Sequence, residues 1–139
     1  MNRQFLLLFS FVSVLRLASA DSINYAIISS DMTLSNPSWV KVIDALSEKH
    51  KNSKIFSFKE GKPEKVLLEL KESAPKYMCF VAHHKEVTRE WVSKIHQLTR
   101  NLDEDPYTDT IWGILTGYDA ANALSIAKTN KPLTIERVA

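Results

Sequence analysis

The chain has 139 residues, 45% of them hydrophobic, with 18 lysines and arginines against 16 acids: one domain's length, with enough apolar residues for its own core. The near balance of charge, with both signs mixed along the chain, excludes the basic stripe of a nucleic-acid binder and the polybasic segment of a membrane-surface protein. A lone cysteine, Cys79, excludes a disulfide scaffold.

Residues 1–20 read as a secretory leader. Arg3 precedes an apolar run at 5–15, FLLLFSFVSVL, and Ala18-Ser19-Ala20 gives the small-x-small pattern of a cleavage site. The run is short for a permanent membrane span. Removal before Asp21 leaves 119 residues as a single α/β domain, 21–139, with 16 basic and 16 acidic side chains. A secreted or periplasmic protein is expected, with no nucleic-acid partner and no membrane association after cleavage.

Residues 23–30, INYAIISS, form a short apolar run that predicts a buried strand. Asn36 is placed to cap a helix with Pro37 at its first position, and Trp39, Val42, Ile43 and Leu46 recur at helical spacing as far as His50. A second strand is predicted at 54–58, closed by Gly61. Pro63 opens a helix with Val66, Leu67, Leu70 and Ala74 on one face, and Pro75 stops it. Residues 77–82 predict a third strand. Thr88 caps a helix whose stripe is Trp91, Ile95, Leu98 and Leu102. An acidic loop at 103–109 leads to a fourth strand at 110–116, and Asp119 caps a helix at 120–128. A fifth strand is expected at 133–138, which motivates reading the chain as the N-terminal part of a longer product.

Strands alternate with helices, and the strands are apolar at almost every position. Both sheet faces are therefore expected to be covered, giving a three-layer α/β sandwich around a mostly parallel four- to five-stranded sheet. Right-handed crossovers make 2-1-3-4 the simplest order, as in flavodoxin-like and caspase-like sheets.

The stretch YMCFVAHH at 77–84 sets the cysteine close to two histidines. In a strand, four residues span roughly 13 Å, so Cys79 and His83 share a face without touching, and His84 points to the other face while the strand continues. A nucleophile–base pair needs contact at roughly 3 Å, so Cys79 reads as a small core residue. A metal site lacks a third ligand beside His83 and His84, and His50 and His96 fall on helices. The two histidines do sit at the carboxyl end of a parallel strand, where open α/β sheets bind ligands. Ser29, Ser30 and Asp31 after the first strand, and Thr116, Gly117, Tyr118 and Asp119 after the fourth, join them on one rim. Ser30, His83, His84, Thr116 and Asp119 are the candidate ligand-binding residues; caps and turns are the plainer reading of the same set. No phosphate-binding glycine pattern and no EF-hand spacing is present, so neither cofactor nor metal is expected. Trp39, Trp91 and Trp112 are read as core.

The stretch DPYTDTIWGILTGYDAANAL at 105–124, with YMCFVA at 77–82, resembles the N-terminal region of secreted gingipain-like cysteine peptidases and related uncharacterised bacterial proteins. The first strand, followed by Pro37-Ser38-Trp39 and an amphipathic helix, fits the same pattern, so the likeness covers most of the exported chain. It implies a non-catalytic α/β subdomain that supports a downstream caspase-like catalytic subdomain absent from this chain. In that family the catalytic cysteine follows the strand after the histidine. Here that position reads Thr116-Gly117-Tyr118 and Cys79 lies in the wrong strand, so no catalytic residue carries over. Two rival expectations stand beside it: a self-contained secreted module binding a small polar ligand at the rim, and a thiol hydrolase using Cys79.

Overall fold

The computed structural model describes residues 23–59, 61–105, 107 and 110–131. The expected leader at 1–20 and fifth strand at 133–138 lie outside the described residues, as do Pro106, Thr108 and Asp109 of the acidic loop.

Four strands form one sheet in the order β2-β1-β3-β4: β1 Tyr25–Ser30, β2 Ser53–Phe58, β3 Tyr77–Val81 and β4 Ile111–Leu115. All three pairings are parallel, and Ile27 stands between Ile55 and Cys79 while Cys79 stands opposite Gly113. Parallel neighbours need crossovers, and the helices supply them. Helix α2, Pro37–Lys49, starts where Asn36 Oδ1 accepts the Ser38 amide at 3.0 Å. Helix α4, Arg89–Arg100, starts where Thr88 Oγ1 accepts the Trp91 amide at 3.2 Å. Helix α5, Ala120–Ala127, starts where Asp119 accepts the Asn122 amide at 2.8 Å.

Two cores lie on opposite faces of the sheet. On one, Ile28, Phe56, Phe58 and Phe80 meet Leu70, Trp91 and Ile95 from the helices above. On the other, Ile27, Cys79 and Val81 meet Trp39, Val42 and Ile43 of α2 and Ala123 and Ala127 of α5. Each large apolar side chain withdrawn from water contributes about 1.5–3 kcal/mol. Packing, without cross-links among the described residues, is what holds the sandwich together.

The structure departs from the sequence expectations in five places. A helical turn, α1 at Asp31–Leu34, follows β1 directly. The helix expected from Pro63 begins as a 3-10 turn, Pro63–Val66, and only then becomes α3, Leu67–Ser73. Ala74, expected on its apolar face, is an exposed cap with φ 40°. Pro75 explains why the helix stops here, because it disfavours right-handed helical backbone in the residue before it. Leu102 lies beyond the end of α4 but still packs on the aromatic core. Finally, both-face burial holds for β1 and β3 only. The edge strands leave Ile55 and Ile111 exposed, the latter at 64%. Apolar text marks a strand, but position in the sheet decides how much of it is covered.

Candidate functional site

In a parallel sheet of this order, chain leaves β1 and β3 towards opposite faces, and the crevice between their carboxyl ends is the usual ligand position. Here α1 occupies that crevice. Ser30 caps it, its Oγ accepting the Thr33 amide at 3.0 Å. The Thr33 hydroxyl donates to Glu86 Oε1 at 2.7 Å and accepts the His83 amide at 3.3 Å. Just below, Ser29 Oγ donates to the Val81 carbonyl at 2.8 Å. The loop after β1 is thus tied to the loop after β3, and the crevice is closed by buried polar contacts.

The rim is divided into two clefts. One, of about 490 Å³, is bounded by Trp39, His83, Tyr118, Asp119 and the start of α5. The other, of about 470 Å³, is bounded by Ser30, Phe58, Lys85, Glu86 and Trp91 on the aromatic side. Of the five candidate residues, Ser30 therefore stands apart from His83 and Asp119. Ser30 is buried and used as a cap, and Asp119 caps α5. Thr116 is half-buried; its hydroxyl oxygen is enclosed and has no hydrogen-bond partner among the described residues.

His83 and His84 are closer than an extended strand allows. β3 ends at Val81, so the chain turns, and the two rings lie side by side with centroids 4.2 Å apart at 31°. His83 also tilts against Trp39 at 5.7 Å. The Lys85 amide donates to His83 Nδ1 at 3.2 Å, which leaves Nε2 as the ring nitrogen available to a ligand. The expectation that His84 faces away is corrected: it required a strand that continued past Val81.

Cys79 is sealed into the core that β1 and β3 share with α2 and α5. It is buried in the middle of β3, beside the Tyr25 side chain. Burial pushes its thiol up from the ordinary value, against smaller opposing hydrogen bonds from Tyr25 and the Leu115 backbone. Burial likewise holds the Tyr25 hydroxyl well above the usual phenol range, and the neighbouring Cys79 adds to this. Reactive thiolates need the opposite environment, electropositive and reachable. No imidazole is hydrogen-bonded to a hydroxyl or thiol side chain among the described residues. His50 ends α2, where its ring stacks on Tyr25 at 3.8 Å, and His96 meets Trp112 edge-on from α4. Among the described residues no three His, Cys, Asp or Glu side chains could hold one metal ion. No helix among them is long and apolar enough to cross a membrane.

Sequence reasoning missed α1, the Thr33–Glu86 tie and the aromatic-side cleft. The cap residue was legible, since serine directly after an apolar strand is a favoured helix-start residue. The Thr33 partner Glu86 was not, being 53 residues away. Comparison with protein-family models, with curated proteins and with solved structures finds no match.

Proposed function

We propose that this chain is an exported, non-catalytic α/β domain that supports a gingipain-like cysteine peptidase subdomain encoded downstream. The observation that carries the proposal is β4, whose outer edge pairs with no strand among the described residues. Its five residues, IWGIL, contain no charge and no proline, Ile111 is exposed, and a side chain built at Gly113 would meet only open space. Isolated domains blunt such edges with charge, proline or a bulge, because an unpaired apolar strand invites another strand. The buried thiol and the engaged hydroxyls of Ser29, Ser30 and Thr33 support a packing role over a chemical one. The leader at 1–20 supports a secreted or periplasmic location.

The test is the reading frame beyond Ala139, followed by hydrogen exchange on the joined protein and on this domain alone. A histidine–cysteine peptidase domain in frame, with slowed exchange at 111–115 in the joined protein, is the expected result. Exchange at 111–115 that is identical in the two proteins sinks the proposal.

A second reading is favoured by one observation, the cleft bounded by Trp39, His83 and Asp119, where the Lys85 contact at Nδ1 leaves the His83 Nε2 free for a ligand. In it the chain is a stand-alone secreted module binding a small polar ligand there. A ligand that raises Tm in a thermal-shift screen, with the rise lost in His83→Ala and Asp119→Ala, selects this reading. No such ligand, or a rise that survives both substitutions, removes it.

A further inference from the structure

The cleft that presents His83 gathers polar groups that the fold itself does not use. Asn36 Oδ1 accepts the Ser38 amide and Asp119 Oδ1 accepts the Asn122 amide, which leaves the Asn36 amide nitrogen and the second Asp119 oxygen without a partner among the described residues. The Ser38 hydroxyl and the Lys41 ammonium bound the same cleft and make no hydrogen bond or ion pair among those residues either. The Lys85 amide donates to His83 Nδ1, so the neutral imidazole carries its proton on Nε2 and presents a donor there. A donor at Nε2 suits a hydroxyl or carbonyl oxygen and not a metal ion, which needs the lone pair.

Tyr118 supplies an apolar face. Its side chain is 95% exposed and bounds the cleft, on a backbone anchored at both neighbours. Gly117 lies so close to α5 that a Cβ there would be 2.9 Å from the Ala123 nitrogen, and Asp119 is the cap of that helix. His83 is held as well, its ring 5.7 Å from Trp39 and 4.2 Å from His84. A ligand therefore meets groups already in position, which lowers the ordering cost of binding.

These groups select a ligand by their chemistry. Donors on His83, Asn36, Ser38 and Lys41 stand beside an acceptor on Asp119, so the ligand has to accept and donate. Lys41 and Asp119 carry opposite charges: a cation meets the one, an anion meets the other, and a neutral molecule opposes neither. The bare tyrosine ring favours an apolar surface laid flat against it. A pyranose meets all three conditions, with hydroxyls that both donate and accept, no charge, and a ring face of C–H groups. We infer that this cleft binds a carbohydrate, one pyranose ring lying on Tyr118 with its hydroxyls towards His83, Asn36 and Asp119. The volume, about 490 Å³, falls in the range of small-molecule sites. The inference rests on the second reading above for its site, and it holds with or without the support role.

The test is NMR titration of the protein with cellobiose, maltose and N,N′-diacetylchitobiose at millimolar concentration, following the Trp39 indole proton and the amides at 117–121. Sorbitol, which has the hydroxyls without the ring, and acetate and inorganic phosphate are the controls. At least one disaccharide is expected to move these signals, and sorbitol is not. Tyr118→Ala is expected to weaken that binding about fivefold at unchanged Tm, the worth of one stacked ring, and Tyr118→Phe to retain it. Signals that stay still with all the disaccharides, that move equally with sorbitol, or that respond fully in Tyr118→Ala overturn the inference. Acetate or phosphate binding in place of the sugars overturns it and leaves the reading of a small polar ligand standing. Silence from every probe, with no ligand in the thermal-shift screen, removes both.

Discussion

On one face of the sheet three phenylalanines and Trp91 fill the space beneath the 3-10 turn, α3 and α4; on the other, Ala45, Ala120, Ala123 and Ala127 let α2 and α5 lie close over Ile27 and Cys79. Large rings meet edge-on, as Phe80 does with Trp91 and Trp112. Small residues let backbones approach, so that face tolerates little added volume. One sheet thus carries a face whose stability rests on bulk and a face whose stability rests on closeness.

Removing bulk from the first face is expected to have the largest effect. Phe80→Ala should cost about 3–5 kcal/mol in urea unfolding, since the ring is fully buried and touched by two tryptophans. A loss near 1 kcal/mol would show that this face collapses to fill the gap and would break the comparison. Adding bulk tests the second face. A Cβ at Gly117 would lie 2.9 Å from the Ala123 backbone nitrogen and 2.7 Å from Asn122 Oδ1. Gly117→Ala should therefore cost about 1–3 kcal/mol, because α5 must shift away; an unchanged Tm would mean that the small-residue face is loose.

The tie at the rim comes next. Thr33→Val removes the hydroxyl between Glu86 and the His83 amide and should cost about 1–2 kcal/mol. The signature to look for is faster amide exchange at His83, with β1 itself unaffected.

Alkaline pH tests the inert thiol. The folded-state values of Cys79 and Tyr25 are both raised, so neither group affects stability below its unfolded value, about 8.5 for a thiol and 10 for a phenol. Above those values the unfolded chain loses protons that the folded chain keeps, and stability falls as pH rises. Tm should be level from pH 7 to 8 and decline beyond, less steeply in Cys79→Ala. A thiol reagent should modify Cys79 only after denaturation. The smallest effect is a gain. Ala74 holds a left-handed backbone at φ 40°, and Ala74→Gly should raise stability by up to about 1 kcal/mol, read as a higher Tm.

Local features were legible because their causes are local. Asn36 before Pro37, Thr88, and Asp119 each accept an amide within their own helix start, so a few residues of sequence contain both donor and acceptor. The rim was legible in part. His83 and Asp119 do border one cleft, but Ser30 faces another, and its oxygen is spent on α1. Thr33 and Glu86 were missed as site residues, since neither belongs to a motif and each acquires its role from a neighbour distant in the chain.

The alternation of apolar strands with capped, amphipathic helices determined by itself that this chain makes a parallel α/β sandwich in the order 2-1-3-4. Burying continuous apolar strands and closing right-handed crossovers leaves little else. Tertiary structure alone decided that α1 closes the crevice, that the two imidazoles lie together, and that β4 is the outer strand of the sheet among the described residues. Those outcomes depend on which atoms meet across the sheet, and hydrophobic periodicity carries no record of such meetings.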